Sequence, residues 1–132
     1  MNLNFTISEL VKSDVAKQHG IRNMPQDPQI LDNLLLLIIN VLQPLRNYVG
    51  KPIIITSGYR SKELNFKVGG VANSEHLTGC AVDFIVKGMT VIDIIKAVRA
   101  SGIRFNQCIN EYNQWCHISF NKNGNKQQYL NI

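Results

Sequence analysis

Residues 74–84 read SEHLTGCAVDF. Two side chains able to bind a metal, His76 and Asp83, stand seven positions apart with Gly79 between them. That spacing is too long for one helical turn. From Cys80 onward the run CAVDFIV is apolar and rich in strand-forming residues. The expected structure is a turn leading into a strand, with the turn bringing His76 and Asp83 onto one ion and a third ligand supplied from elsewhere. Alternation within the strand puts Asp83 on one face with Ala81 and Ile85. Cys80, Val82, Phe84 and Val86 form the more apolar face.

The same alternation recurs in WCHISF, residues 115–120. Trp115, His117 and Ser119 share one face, and Cys116, Ile118 and Phe120 share the face expected to meet the core. If the two strands are neighbours, Asp83 and His117 project from the same side of the sheet. Two imidazoles and one carboxylate suit a catalytic zinc, because three protein ligands leave a fourth position open. Structural zinc sites are usually closed by four ligands rich in cysteine. The residues alone also admit other divalent ions. Glu111, six residues before His117, is placed to serve as a base, and Arg60 in TSGYRS to face a substrate. The remaining histidine, His19, sits beside Gly20 at the end of the first predicted helix, where interaction with the helix dipole accounts for it.

Around these stretches the elements follow from local signals. In FTISEL, Thr6 and Glu9 make a capping box, which predicts a helix from Ile7 to Gln18. Asp27 and Pro28 start a second helix that runs to about Tyr48, apolar nearly all round and expected to lie centrally, with Pro44 kinking or ending it. Ile53–Ser57 is a short buried strand, and a helical turn is expected after Ser61. TVIDIIKAVRASG is an amphipathic helix between Thr90 and Gly102. Strands over Gln107–Tyr112 and Trp115–Phe120 make a hairpin, and Asn123-Gly124 precedes a short edge strand. Helices first, then strands around one helix, predict an α+β fold: an antiparallel sheet with helices packed on one side. The absence of repeats and linkers makes residues 1–132 one expected domain.

Composition narrows the classes further. The 132 residues are 45% hydrophobic and 17% charged, with a formal net charge of +5. The basic residues are scattered and not interleaved with aromatics, which argues against a nucleic-acid binder. Three cysteines, Cys80, Cys108 and Cys116, without C-x-x-C spacing argue against a disulfide framework. All three fall in segments read as strands. The opening MNLNFTISEL lacks the features of a signal peptide, and the run LLLLII, Leu34 to Ile39, is too short to span a bilayer. Cytoplasmic synthesis without membrane insertion is the expectation; oligomeric state is open.

Taken together, SGYRS, SEHLTGCAVD and EYNQWCHIS resemble the zinc D-Ala-D-Ala carboxypeptidase family, peptidase family M15, whose zinc motif is S-x-H-x(6)-D followed by W-x-H. The resemblance runs over essentially the whole chain and is nearest to the small, single-domain, endolysin-like branch. It implies a hedgehog/DD-peptidase-like fold and one zinc per chain held by His76, Asp83 and His117. It also implies Glu111 as general base for a zinc-activated water, and Arg60 binding substrate and the developing oxyanion. Ser74 and Trp115 become substrate-side residues. Some members carry the glutamate three residues before the last histidine, where this chain has Gln114. The six-residue spacing resembles the endolysin-like branch and also the hedgehog signalling domain, which shares the fold. The implied substrate is a peptidoglycan stem peptide, cut by a carboxypeptidase or an endopeptidase. A phage or prophage lysin released by a partner protein would bring the chain to that substrate. The competing expectation is a non-catalytic, zinc-stabilised module that binds cell-wall peptide or a protein partner.

Overall fold

Among the described residues, five strands form one sheet in the order β1-β2-β4-β3-β5. They are β1 (Ile53–Ser57), β2 (Ala81–Val86), β3 (Gln107–Glu111), β4 (Trp115–Ser119) and β5 (Gln128–Asn131). The structure is a computed structural model that describes residues 3–132. Pairing is antiparallel across β1, β2, β4 and β3, as expected for an α+β fold. The edge strand β5 departs from the all-antiparallel expectation, because it runs parallel to β3. After β4 the chain turns through Asn121–Gly124 and returns along the edge. Gln127 donates its backbone N–H to the Phe105 carbonyl, and Gln128 donates to Asn106.

The predicted first helix is two short ones, α1 (Ile7–Val11) and α2 (Asp14–Gln18). Thr6 caps the first as expected, but Ser13 caps the second, its side chain accepting from the Ala16 N–H. The break frees two carbonyls for tertiary bonds. Leu10 O accepts from the Tyr59 N–H at 2.7 Å, and Val11 O accepts from Asn23 Nδ2 at 2.8 Å. His19 ends α2, exposed and outside the site.

The long helix α3 is continuous over 22 residues, Pro28–Val49, and passes through Pro44. Relief comes one turn earlier. Residues Ile38–Leu42 are π-helical, and the Gln43 N–H donates to Ile38 O. Proline has no N–H to offer, and its ring crowds the preceding turn; the wider π turn accommodates both. By length and composition α3 is apolar enough to cross a membrane. Here it lies against the sheet through one face, Leu34, Leu37, Ile38, Val41, Leu42 and Leu45, while Leu35 and Ile39 are exposed. The helix expected to lie centrally in the core is therefore buried along one face only.

That face joins Ile94 and Val98 of α5 (Val91–Ser101) in one core with Val82, Phe84, Cys108, Cys116 and Ile118 of the sheet. The helices thus cover the face that alternation assigned to the core. Cys108 and Cys116 are buried there as free thiols. Cys80 is only half-buried and falls just before β2, outside the strand it was expected to join. The opposite face carries Asp83 and His117. Over it runs residues 58–79, containing α4 (Lys62–Lys67) and a 3-10 turn, Glu75–Thr78.

Candidate metal centre

The centre begins as a row across the sheet. Cross-strand register sets Ser57 of β1 opposite Asp83 of β2, Asp83 opposite His117 of β4, and His117 opposite Ile109 of β3. The expected pairing of Asp83 with His117 on one face is what the structure shows, with His117 Nδ1 2.9 Å from Asp83 Oδ1. A bulge in β1 between Ile55 and Ser57 ends the regular pairing there and turns the chain into Gly58–Arg60.

His76 arrives from the opposite direction, on the 3-10 turn before β2. Ser74 caps that turn, its Oγ accepting from the His76 N–H at 3.2 Å. Gly79, at φ +75°, ends it and reverses the chain into the strand. His76 Nε2 then lies 3.2 Å from the same Asp83 oxygen. Its other ring nitrogen, Nδ1, lies 2.7 Å from the Gly58 carbonyl. That bond takes a proton on Nδ1, so Nε2, turned toward Asp83, is the nitrogen that would be free to bind a cation.

One ligand atom from each of His76, Asp83 and His117 lies within 4.8 Å of the other two, and all three residues are buried, at 3%, 5% and 8% exposure. Two imidazole nitrogens converging on a carboxylate oxygen in a buried site fit a divalent cation. Without a cation, a proton between His117 and Asp83 reconciles the pair. Burial would lower the His117 pKa, but the hydrogen bond to Asp83 and the nearby Glu75 carboxylate outweigh it and push it up to about 9. Burial would likewise raise the Asp83 pKa, and the bonds from His117 and His76 instead hold it well below the usual carboxylate range.

Two further sequence candidates reach the same cleft. Glu111, the last residue of β3, places Oε1 3.6 Å from His117 Nδ1, on the side of the ring that faces Asp83. Burial, together with the Asp83 charge, raises its pKa. Arg60 directs Nη2 at Asp83 Oδ2, 3.6 Å away. Its remaining nitrogens are anchored: Nε donates to Ser57 Oγ at 3.2 Å and Nη1 to Asn65 Oδ1 at 3.1 Å. Trp115, opposite Glu111 in the hairpin register, lines the cleft. Its indole N–H is buried without a well-aligned acceptor, Glu111 being the carboxylate beside it. Ser74 also lines the cleft, though its hydroxyl is engaged in the turn beneath His76.

Several contributors escape sequence reasoning. Asn65, only 4% exposed, joins Arg60 to the Val71 carbonyl, to which its Nδ2 donates at 2.9 Å. A Cβ on Gly70 would collide with this Asn65 side chain and crowd Arg60. Asn23 clips the Arg60 segment in place by donating to Tyr59 O and accepting from the Ser61 N–H. Tyr112, held at φ 58° in the hairpin turn, packs edge-on against Trp115 and forms an exposed wall of the cleft. None of these has a local signal, since each acts through partners distant in sequence. Glu75 had one, its position beside His76.

A buried His–Asp–His donor set with a carboxylate and a guanidinium at one open cleft is the arrangement of a hydrolytic metal centre. A family described as Peptidase M15 matches residues 3–119, and the chain belongs to that family. A stretch of 62 residues is 37% identical to the zinc D-Ala-D-Ala carboxypeptidase of Streptomyces albus G. It covers 46% of this chain but 24% of that protein, so the chain matches about a quarter of the relative's length.

Proposed function

We propose that the chain is a zinc peptidase that hydrolyses amide bonds in peptidoglycan stem peptides, with His76, Asp83 and His117 holding the ion. The observation that carries this reading is the convergence of the three ligand atoms on the cleft shared by Glu111 and Arg60. Membership of a peptidase family and the likeness to a zinc D-Ala-D-Ala carboxypeptidase support it. Zinc held by these residues supplies the Lewis acidity that polarises a carbonyl and acidifies a water.

The protein's own groups do the remainder. Glu111 accepts a proton from the attacking water at its carboxylate and returns it to the leaving amine. Arg60, fixed by Ser57 and Asn65, presents an N–H to the oxygen that becomes negative, with little reorganisation. Trp115 and Tyr112 wall one side of the cleft, where they would flank the peptide. Ser74 supports the His76 turn from beneath.

The test is cleavage of purified peptidoglycan, followed by release of D-alanine and of internal stem fragments. Activity lost to a chelator and restored by zinc is expected, and the product distinguishes terminal from internal cleavage. Stoichiometric zinc with no cleavage of any wall peptide would overturn the proposal in favour of a zinc-stabilised binding module.

A further inference from the structure

One acidic side chain of the cleft has no part in the chemistry above. Glu75 precedes His76 on the 3-10 turn, but its side chain points to β4 rather than to its neighbour. Oε1 lies 3.9 Å from His117 Nε2, and Oε2 accepts from Asn106 Nδ2 at 3.1 Å. Asn106 is fixed in turn, since its Oδ1 accepts from the Lys126 N–H. The carboxylate is therefore held in place by a residue 31 positions away and is half-buried.

The imidazole of His117 stands between carboxylates at both nitrogens. Asp83 is 2.9 Å from Nδ1 and Glu75 is on the far side of the ring, at Nε2. A neutral imidazole has one N–H and one lone pair. It can offer Nδ1 to a cation only while its proton stays on Nε2. A carboxylate beside Nε2 stabilises that tautomer, fixes the ring plane and raises the basicity of the opposite nitrogen. His76 has the complementary arrangement, with Nδ1 on the Gly58 carbonyl and Nε2 turned inward. One histidine is thus anchored by a neutral carbonyl and the other by an anion.

Glu111 and Glu75 are separated by the same ring. Glu111 is near Nδ1, on the side facing Asp83, whereas Glu75 is near Nε2, behind it. We propose that Glu75 is a positioning residue of the metal centre, which keeps the proton of His117 on Nε2 and presents Nδ1 to the zinc. The inference rests on the zinc reading proposed above.

The experiment measures zinc affinity by competition with a chromophoric chelator for wild type, Glu75→Ala, Glu75→Gln and His76→Ala. Nitrogen-15 spectra of the histidine rings are recorded on the zinc-loaded proteins. Glu75→Ala is expected to bind zinc about 10- to 100-fold more weakly. Glu75→Gln keeps an acceptor without the charge and should fall between it and wild type. The wild-type spectrum should show His117 protonated at Nε2, with that proton exchanging faster in Glu75→Ala. Wild-type affinity in both Glu75 variants, or a His117 proton on Nδ1 in the loaded protein, would overturn the inference alone. If Glu75→Ala does not fold, wild-type affinity in Glu75→Gln overturns it equally. Failure of wild type to bind zinc, or undiminished binding by His76→Ala, would instead overturn the metal site itself and the role of Glu75 with it.

Discussion

Asp83 and His117 are direct cross-strand partners, and one oxygen of Asp83 lies 2.9 Å from His117 Nδ1 and 3.2 Å from His76 Nε2. A single carboxylate oxygen therefore gathers two histidines from separate parts of the chain. Asp83→Asn preserves the side-chain shape while removing the charge. It should weaken zinc binding by more than about 100-fold, beyond the effect of outer-shell changes. Chelator competition checks this, with circular dichroism confirming that the sheet survives.

The metal-free protein should have a distinctive pH profile. The folded pKa of His117, about 9, exceeds its ordinary 6.5, so its contribution is complete below pH 6.5 and is lost as pH rises toward 9. Asp83 has the opposite sign: its contribution is present above its ordinary 3.8 and is lost on acidification. These are two ends of one interaction, and it counts once. Chelator-treated protein should melt highest between those limits and lose about 2–3 kcal/mol between pH 6.5 and 9. Zinc must displace the His117 proton, so the increase in Tm on adding zinc should grow over the same interval. Melting curves across pH, with and without zinc, check both slopes.

Gly58 links the core to the centre. Its own carbonyl anchors His76, and a Cβ there would collide with the Leu10 backbone carbonyl. Gly58→Ala should cost about 1–3 kcal/mol through forced backbone movement and also weaken zinc binding. Chemical denaturation of the metal-free protein isolates the first effect and chelator competition the second.

Arg60 is held in a planar fork by Ser57 and Asn65, a geometry that a lysine ammonium cannot reproduce. Arg60→Lys should keep its zinc and lose about 100-fold in kcat/KM. Elemental analysis and steady-state rates on one preparation check this.

The parts of this site that could be read in the sequence are those with a local signature. Alternation in CAVDFIV and WCHISF is enough to set Asp83 and His117 on the cleft face, and Gly79 is enough to return His76 over the strand. Thr6, Asp27 and Thr90 announce the helices they cap. Where the outcome depended on distant partners, local reading failed. Capping signals at Thr6 extend naturally through Lys12, but Tyr59 and Asn23 claim the carbonyls of Leu10 and Val11, and Ser13 starts a new helix. Pro44 signals a break, yet packing of α3 on the sheet favours a π turn that keeps the helix whole. The parallel pairing of β5 is set by backbone bonds to residues 105–110, which no pattern within Gln128–Asn131 encodes.

Zinc content and peptidoglycan cleavage, measured on the same preparations of wild type and Glu111→Ala, test the zinc-peptidase proposal most directly. One zinc per chain is expected in both, with the cleavage seen in wild type reduced about 100- to 10,000-fold in the variant. Absence of stoichiometric zinc from reconstituted wild type, or equal cleavage by the two proteins, would contradict it.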